Sequence, residues 1–325
     1  MPHLSATVAI CTRNRGAMVA ECVRSVLALD PPDFKVLIVD QSDDEKTSLA
    51  AAEAAGGDRR LEIIRTRTVG LSVARNLAAG HATSDVIAYT DDDCAVDRGW
   101  LEAILSEFEV DRVDAVFGRV VPPGFTSRRG VEVAFKASTD RAIYQRPTPP
   151  WHVGHGASMA VRRASLLKIG GFDNSLGAGT SFPAADDLDV AYRLAAAGGW
   201  LAYTGAAVAY HKDWRDWRSR RRVERGYGVG AGATFMKYLR CGDLYGAKLF
   251  LRWTWELGVR RVGAGLLKWR STKPMYLGYC QLVYPWIGMA RSLRRKIDPR
   301  TITYYDLQFD RAGRTSVPQP ARRPE

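Results

Sequence analysis

The sequence is poor in the residues that build redox and thiolate–metal chemistry. Its five cysteines, Cys11, Cys22, Cys94, Cys241 and Cys280, include no CxxC pair and no histidine at metal-ligand spacing, which excludes a zinc ribbon or a disulfide framework. They read as reduced, buried or incidental thiols. The odd count, with no charged-then-apolar leader at the N-terminus, predicts a reducing, cytoplasmic address. Long hydrophobic runs are also missing. The uncharged stretches Leu194 to Tyr210 and Pro274 to Ala290 each hold 17 residues, against about 20 for a spanning helix. The first is broken by Gly198 and Gly199, the second by Gln281 and Pro285. No internal repeat is present, and only the last dozen residues, rich in Pro and Arg, have a disordered composition.

With 46% apolar and 25% charged residues, the 325-residue chain has the balance of an ordinary globular protein, so neither disorder nor a membrane-filled fold is favoured. Its length suits one large domain or two small ones. Acidic charge is scarce in one part only. Up to residue 210 there are 22 Lys and Arg against 26 Asp and Glu; beyond it there are 25 against 9. The net charge of +12 therefore sits in the tail, where nucleic acid, anionic lipid or an acidic substrate are all electrostatically admissible partners.

The first two-thirds alternates apolar β-rich runs with helical patterns. The runs are TVAIC (7–11), FKVLIVD (34–40), LEIIR (61–65), DVIAYT (85–90) and DAVFGRVV (114–121), with helices expected near 17–29, 45–55, 71–80 and 98–108. This is the rhythm of βαβ units and predicts an α/β fold with a mainly parallel central sheet. A Pro-, Arg- and Gly-containing stretch then reaches Trp151. Beyond it come a short strand at 157–161, a Gly-rich loop, a helix from Asp186 to Ala197, and two short strands near 200–204 and 206–210 that end at His211.

Three places carry chemistry. Tyr89-Thr90-Asp91-Asp92-Asp93-Cys94 puts three carboxylates past a strand end, where open α/β sheets place ligands. Carboxylates packed so closely repel unless a cation sits among them, and hard oxygens suit Mg²⁺ or Mn²⁺; the bland alternative is a solvated acidic turn. Asp186-Asp187-Leu188-Asp189 opens a helix, where carboxylates also serve the helix dipole, and Asp189 to Arg193 has the i, i+4 spacing of an ion pair. His211 closes a strand, and a lone histidine is more often structural than a ligand.

In order and surroundings these segments resemble glycosyltransferase family 2, the inverting enzymes with the Rossmann-like GT-A fold, over residues 5 to 215. VAICTRNR (8–15) is similar to the family's opening strand and loop, and LIVDQSDDE (37–45) to the strand bearing its base-binding aspartate, here Asp40. GLSVARN (70–76) precedes the metal strand, and YTDDDC supplies the DxD pair Asp91 and Asp93. GHGASMAVRR (154–163), GGFD (170–173) and DDLD with Arg193 resemble the acceptor-side signature. The resemblance implies donor binding by Thr12, Arg13, Asp40, Arg75, Asp91 and Asp92. It implies a divalent cation, Mn²⁺ or Mg²⁺, on Asp91, Asp93 and His211, with Asp187 as catalytic base and Asp186, Trp151 and His155 on the acceptor side. Two departures stand out. Arg13 replaces the usual aromatic beside the base and either stacks on it or pairs with Asp43 and Asp44, and Gln41-Ser42 replaces the usual Asp-Gly.

The expected partners are a nucleotide-sugar donor and a hydroxyl acceptor, a glycan or lipid-linked glycan, in envelope polysaccharide or glycolipid synthesis. A nucleotidyltransferase would want a Gly-rich phosphate loop, and TRNRGAM has one glycine. A nucleic-acid-binding protein would use the basic tail but leaves the carboxylates unexplained. A processive synthase would carry spanning helices and a QxxRW motif, and Leu249 to Trp253 lacks the Gln. The expected organisation is a catalytic domain over 1–211, a basic amphipathic helical extension over 212–300, and a partly disordered segment over 301–325. Tryptophans 214, 217, 253, 255, 269 and 286 among basic residues suit peripheral attachment to the inner face of the plasma membrane, or else a helical cap on the catalytic domain.

Overall fold

A computed structural model describes residues 4–30, 33–109, 112–124, 136–212, 216–268 and 270–305. The N-terminal alternation is built as β1 (Ala6–Thr12), α1 (Val19–Leu27), β2 (Phe34–Asp40), α2 (Lys46–Ala55), β3 (Leu61–Arg65), α3 (Leu71–His81) and β4 (Val86–Asp91). Strands β3, β2, β1 and β4 lie side by side and parallel. Their near-continuous apolar runs are what a sheet covered on both faces requires. Val8, Ile10, Val36, Ile38 and Val86 pack under Val19, Val23 and Val26 of α1. Their neighbours Ala9, Leu37, Val39, Ile87 and Tyr89 face the other way, toward Ala74 and Ala78 of α3. Each fully buried Val, Ile or Leu contributes about 1.5–3 kcal/mol, so a one-residue slip in register would exchange the two faces at prohibitive cost.

After β4 come a short strand β5 (Cys94–Val96), α4 (Trp100–Phe108), β6 (Val113–Val121), β7 (Ala142–Tyr144), β8 (Ser158–Arg162), α5 (Arg163–Lys168), α6 (Asp186–Ala196) and β9 (Trp200–His211). β8 enters antiparallel between β4 and β6, and the sheet runs β3-β2-β1-β4-β8-β6-β9-β5, with β7 pairing β9. The two short strands expected near 200–204 and 206–210 are one strand with a bulge: pairing to β6 jumps from Gly118↔Thr204 to Arg119↔Val208. Gly205 permits it, because an added Cβ would lie 2.4 Å from the Thr139 backbone. β5 escaped the sequence reading because three residues are too few to show alternation.

The basic extension folds as α7 (Trp217–Arg240), α8 (Tyr245–Trp253), a π-turn (Thr254–Val259), α9 (Arg260–Leu267) and α10 (Thr272–Ser292), then a small hairpin of β10 (Ile297–Asp298) and β11 (Thr303–Tyr304). Asp216 caps α7 through Ser219 N at 2.8 Å. The glycine-rich middle of α7 allows close approach of α10, since a Cβ at Gly232 would overlap the Pro285 carbonyl. Of the segment expected to be partly disordered, residues 301–305 are ordered and Tyr304 is buried; residues 306–325, Trp214 and Trp269 lie outside the described residues.

A buried ionic cluster ties the extension to the α/β domain. Lys237 of α7 is 0% exposed, with Nζ 2.7 Å from both Asp173 and Asp189. Asp189 also meets Arg193 at 2.8 Å, the expected i, i+4 pair, and accepts from Tyr238 Oη at 3.0 Å. Burial alone would raise the Asp189 pKa, but Arg193 and Lys237 outweigh it and hold the carboxyl below its usual range. A lowered carboxyl pKa makes this contribution present at neutral pH and lost as pH falls through the acidic range. Removing one partner of a buried ionic cluster leaves an uncompensated charge. Lys237→Ala is therefore expected to cost about 3–5 kcal/mol in urea unfolding; a loss below about 1 kcal/mol, the level of an exposed pair, would show that the cluster does not hold the two parts together.

Candidate active site

The register of the parallel strands assembles the first part of the site. Thr12 lies beside Asp40 and Cys11 beside Asp91, so three adjacent strands end together with Thr12, Asp40 and Asp91 at their carboxyl edge. Asp40 is 1% exposed; one oxygen accepts from Ser42 N at 2.9 Å while Oδ2 is buried with no partner among the described residues. Asn14, in the left-handed region at φ 56°, stitches the first loop to the second by donating to Asp43 at 2.7 Å and accepting from Asp43 N at 3.0 Å. Of the two readings of Arg13, the structure shows the ion pair, 3.4 Å from Asp43.

The short strand β5 delivers the histidine. Its antiparallel pairing sets Cys94 opposite His211, bringing His211 Nε2 to 3.4 Å from Asp93. Ligand atoms of Asp91, Asp93, Cys94 and His211 all lie within 4.8 Å of one another. Burial, reinforced by Asp91 and Asp93, pushes the Cys94 thiol far up, and a soft sulfur suits Mg²⁺ or Mn²⁺ less well than hard oxygen does. Two carboxylates and one imidazole remain, a donor set suited to Mn²⁺ or Mg²⁺, and His211 Nδ1 is buried with no partner among the described residues. Asp92 turns instead to Arg15, 3.2 Å away, and burial pushes its carboxyl up to about 6 despite that cation. Arg15 escaped the sequence reading, which fixed on Arg13 two residues earlier.

The acidic pair meets this group through Arg75. Arg75 is 3% exposed; Nη1 lies 2.5 Å from Asp186, while Nη2 lies 3.4 Å from Asp91 and donates to the Gly156 carbonyl at 3.2 Å. Burial would lower the guanidinium pKa, but Asp186 and Asp91 more than offset it and keep it charged. Burial pushes Asp186 up against the pull of Arg75. Asp187 is half-buried: Oδ2 accepts from Gly156 N and Oδ1 from Leu188 N, both at 2.8 Å. Just before the pair, Ala185 is left-handed at φ 72°, a conformation an alanine holds only under constraint and one that clusters at functional sites. Gly177 N donates to the Ala184 carbonyl at 3.3 Å and Asp189 N to the Ala185 carbonyl at 2.9 Å, while Asn76 of α3 fixes the start of the loop by bonding Phe172 N and O and Asn174.

Trp151 and His155 fall on the segment before β8. His155 Nδ1 accepts from Ala157 N at 3.1 Å. Trp151 faces the helical extension, edge-on to Trp253 at 5.2 Å, with Nε1 donating to Glu256 at 2.9 Å; His152 Nε2 meets the same carboxylate at 2.8 Å. Burial opposes ionisation of Glu256, but Arg252, Trp151 and His152 together bring its pKa down to about 2. Sequence reasoning missed Glu256 because about 100 residues separate it from the segment it holds.

The profile of glycosyl transferase family 2 matches residues 7–170. Among curated proteins, the chain is 28% identical over 228 residues to the pre-mycofactocin glycosyltransferase of Mycobacterium tuberculosis, covering 67% of this chain and 46% of that protein. It is 24% identical to the glucosyl-dolichyl phosphate glucuronosyltransferase of Haloferax volcanii, covering 65% and 68%. The chain thus spans about half the length of the mycobacterial relative. Among solved structures, a mannosyltransferase from Pyrobaculum calidifontis in complex with GDP-Man and Mn²⁺ shares the fold at TM-score 0.60 and 18% identity, over 89% of this chain and 86% of that one. GalNAc-T7 with UDP, GalNAc and Mn²⁺ aligns at TM-score 0.51 and 19% identity, over 69% and 48%. The architecture is that of the GT-A glycosyltransferases, and with half of its length matched by the profile, the chain belongs to glycosyl transferase family 2.

Proposed function

We propose that the chain is an inverting, metal-dependent glycosyltransferase that moves a sugar from a nucleotide-sugar donor to a hydroxyl acceptor in envelope glycan or glycolipid synthesis. The observation that carries this reading is the single buried guanidinium of Arg75 shared by a metal-capable carboxylate and the acidic pair. The Pyrobaculum neighbour holds GDP-Man and Mn²⁺, and the Haloferax relative is named for a dolichyl-phosphate acceptor, which supports the donor class and a lipid-linked acceptor.

In this reading the unpartnered Asp40 Oδ2 accepts a nucleobase N–H, with Thr12 and Arg13 beside it. Asp91, Asp93 and His211 hold the cation. When bound, it supplies positive charge to offset what develops on the leaving diphosphate. Asp187 takes the acceptor hydroxyl proton as the acceptor oxygen bonds to the anomeric carbon. The bond to the diphosphate oxygen breaks, its electron pair leaves with the diphosphate, and the configuration inverts. The N–H groups of Gly156 and Leu188 hold the Asp187 carboxylate in one orientation, which supports this role. General-base assistance is worth about 100- to 10,000-fold. Arg75, buried and engaged by Asp91, Asp186 and Gly156, positions both carboxylates rather than touching the donor, and Asp92 serves the donor pocket through its pairing with Arg15.

The test is a turnover screen of UDP-, GDP- and dTDP-sugars with Mn²⁺, followed by Asp187→Asn on the donor found. Transfer is expected to fall at least about 100-fold with donor affinity nearly unchanged. Near-wild-type transfer by Asp187→Asn would remove the base from this residue.

No helix among the described residues is long and apolar enough to cross a membrane. The extension nonetheless keeps an apolar face in solvent. Leu251, Trp255 and Val259 follow one another at i, i+4, i+8 along α8 and the π-turn; Tyr279, Val283, Trp286 and Ile287 do so at i, i+4, i+7, i+8 on α10. Exposed Lys248, Arg252, Arg260, Lys268 and Lys273 accompany them. We read this as a surface for the anionic inner face of the plasma membrane, each basic side chain adding about 1 kcal/mol. Wild-type protein is expected to co-sediment with anionic vesicles at low salt and release at high salt, and Trp255→Ala with Trp286→Ala should release it further. No binding at low salt would leave the helices as a cap alone.

A further inference from the structure

The last turn of α10 and the turn after it hold a second basic feature. Arg291, Arg294 and Arg295 line an open cavity of about 370 Å³ with Ser181 and Phe182. Arg295 donates to Ser181 Oγ. Among the described residues none of the three arginines has a carboxylate partner. Three guanidinium groups on one concavity repel one another, so the arrangement asks for an anion.

Helix capping does not account for them. Cations are favoured at a helix C-terminus, yet the last carbonyl of α10 is served from elsewhere: Arg240 Nη1 donates to Ser292 O at 2.5 Å, and to Arg295 O in the following turn at 2.8 Å. Arg291 and Arg294 are exposed and free to fork onto phosphate oxygens, the geometry for which a guanidinium is suited. The floor is fixed, because Phe182 is 1% exposed and packs on Tyr304 at 5.0 Å.

The cavity is also joined to the acidic pair. Ser181 and Phe182 belong to the loop that ends in Ala185 and Asp186, and the Phe182 and Ala184 carbonyls both accept from Gly177 N, at 3.0 and 3.3 Å. A Cβ on Gly177 would touch the Asp186 carboxyl at 3.1 Å. A ligand held by the arginines and Ser181 therefore braces the segment that presents Asp186 and Asp187.

We propose that Arg291, Arg294 and Arg295, with Ser181, form an anion cradle for the phosphate or diphosphate group of the acceptor. The cradle stands on its own geometry; its assignment to the acceptor rests on the transfer reading above. The same chemistry is offered by a lipid headgroup and by a soluble phosphate ester.

Calorimetric titration with inorganic pyrophosphate in EDTA, which keeps the Asp91–Asp93–His211 group from contributing, tests the cradle. Saturable binding is expected, weakened about tenfold or more by R291Q with R294Q, two exposed positions whose folding is checked by thermal unfolding. R294K, which keeps the charge and loses the fork, should fall between. No saturable binding by wild-type protein, or unchanged binding by the double variant, would overturn the proposal. Co-sedimentation with phosphatidylcholine vesicles carrying phosphatidic acid, against phosphatidylserine at matched charge, separates the sources. Preference for the phosphomonoester lipid assigns a headgroup; pyrophosphate binding without that preference assigns a soluble phosphate. Donor binding with Mn²⁺ is measured separately, so its failure would remove the transfer reading and leave the cradle standing.

Discussion

The site depends on keeping one guanidinium charged where there is almost no water. Arg75 lies between Asp91 at the end of β4 and Asp186 at the start of α6, with the Gly156 carbonyl as a third acceptor. Desolvating a lone guanidinium is prohibitive, and leaving Asp186 buried without it would be as costly. Each charge is tolerable only beside the other, so three elements distant in sequence are held in one register. Gly156 completes the arrangement from its other side, its N–H on Asp187 and its carbonyl on Arg75. A side chain there would crowd both, a Cβ lying 3.0 Å from Arg75 and 3.1 Å from Asp187.

A second buried cation extends the same logic to the C-terminal helices. Lys237 joins α7 to Asp189, one turn along the helix that begins with the acidic pair, and Glu256 draws Trp151 and His152 onto the π-turn. The extension therefore packs on α6 and on the segment before β8, and its outer face is apolar and basic at once. The inner and outer faces use different residues of the same helices: Trp253 is buried against Trp151, whereas Trp255, two positions on, is 59% exposed. Docking that face on a surface would bear directly on the segment Trp151 to Gly156.

The α/β alternation was legible because a sheet covered on both faces needs strands that are largely apolar, and β1, β2 and β4 write that plainly, the edge strand β3 less so. The carboxylates at 91–93 and 186–187 were legible by their positions at a strand end and a helix start. The partners were not. Asp189 to Arg193 is local and could be read from spacing; Lys237 reaches the same carboxylate from 48 residues away, a distance at which no periodicity speaks. His211 could be nominated as closing a strand, but what carries it to Asp93 is the three-residue β5. The bulge in β9 hides behind a uniformly apolar sequence and depends on the backbone at Thr139. The arginines of 291–295 look in sequence like any basic helix end, and only Arg240 capping the same turn sets them apart.

In the proposed function, the carboxylates at the end of β4, with His211, hold a divalent cation through which the donor binds. Calorimetric titration of the nucleotide-sugar with Mn²⁺ and in EDTA, for wild-type protein and Asp93→Ala, is the decisive measurement. Tight binding is expected only for wild-type protein with metal, with the metal dependence lost in Asp93→Ala. Equal donor affinity in EDTA and in Mn²⁺ for the wild-type protein would contradict it.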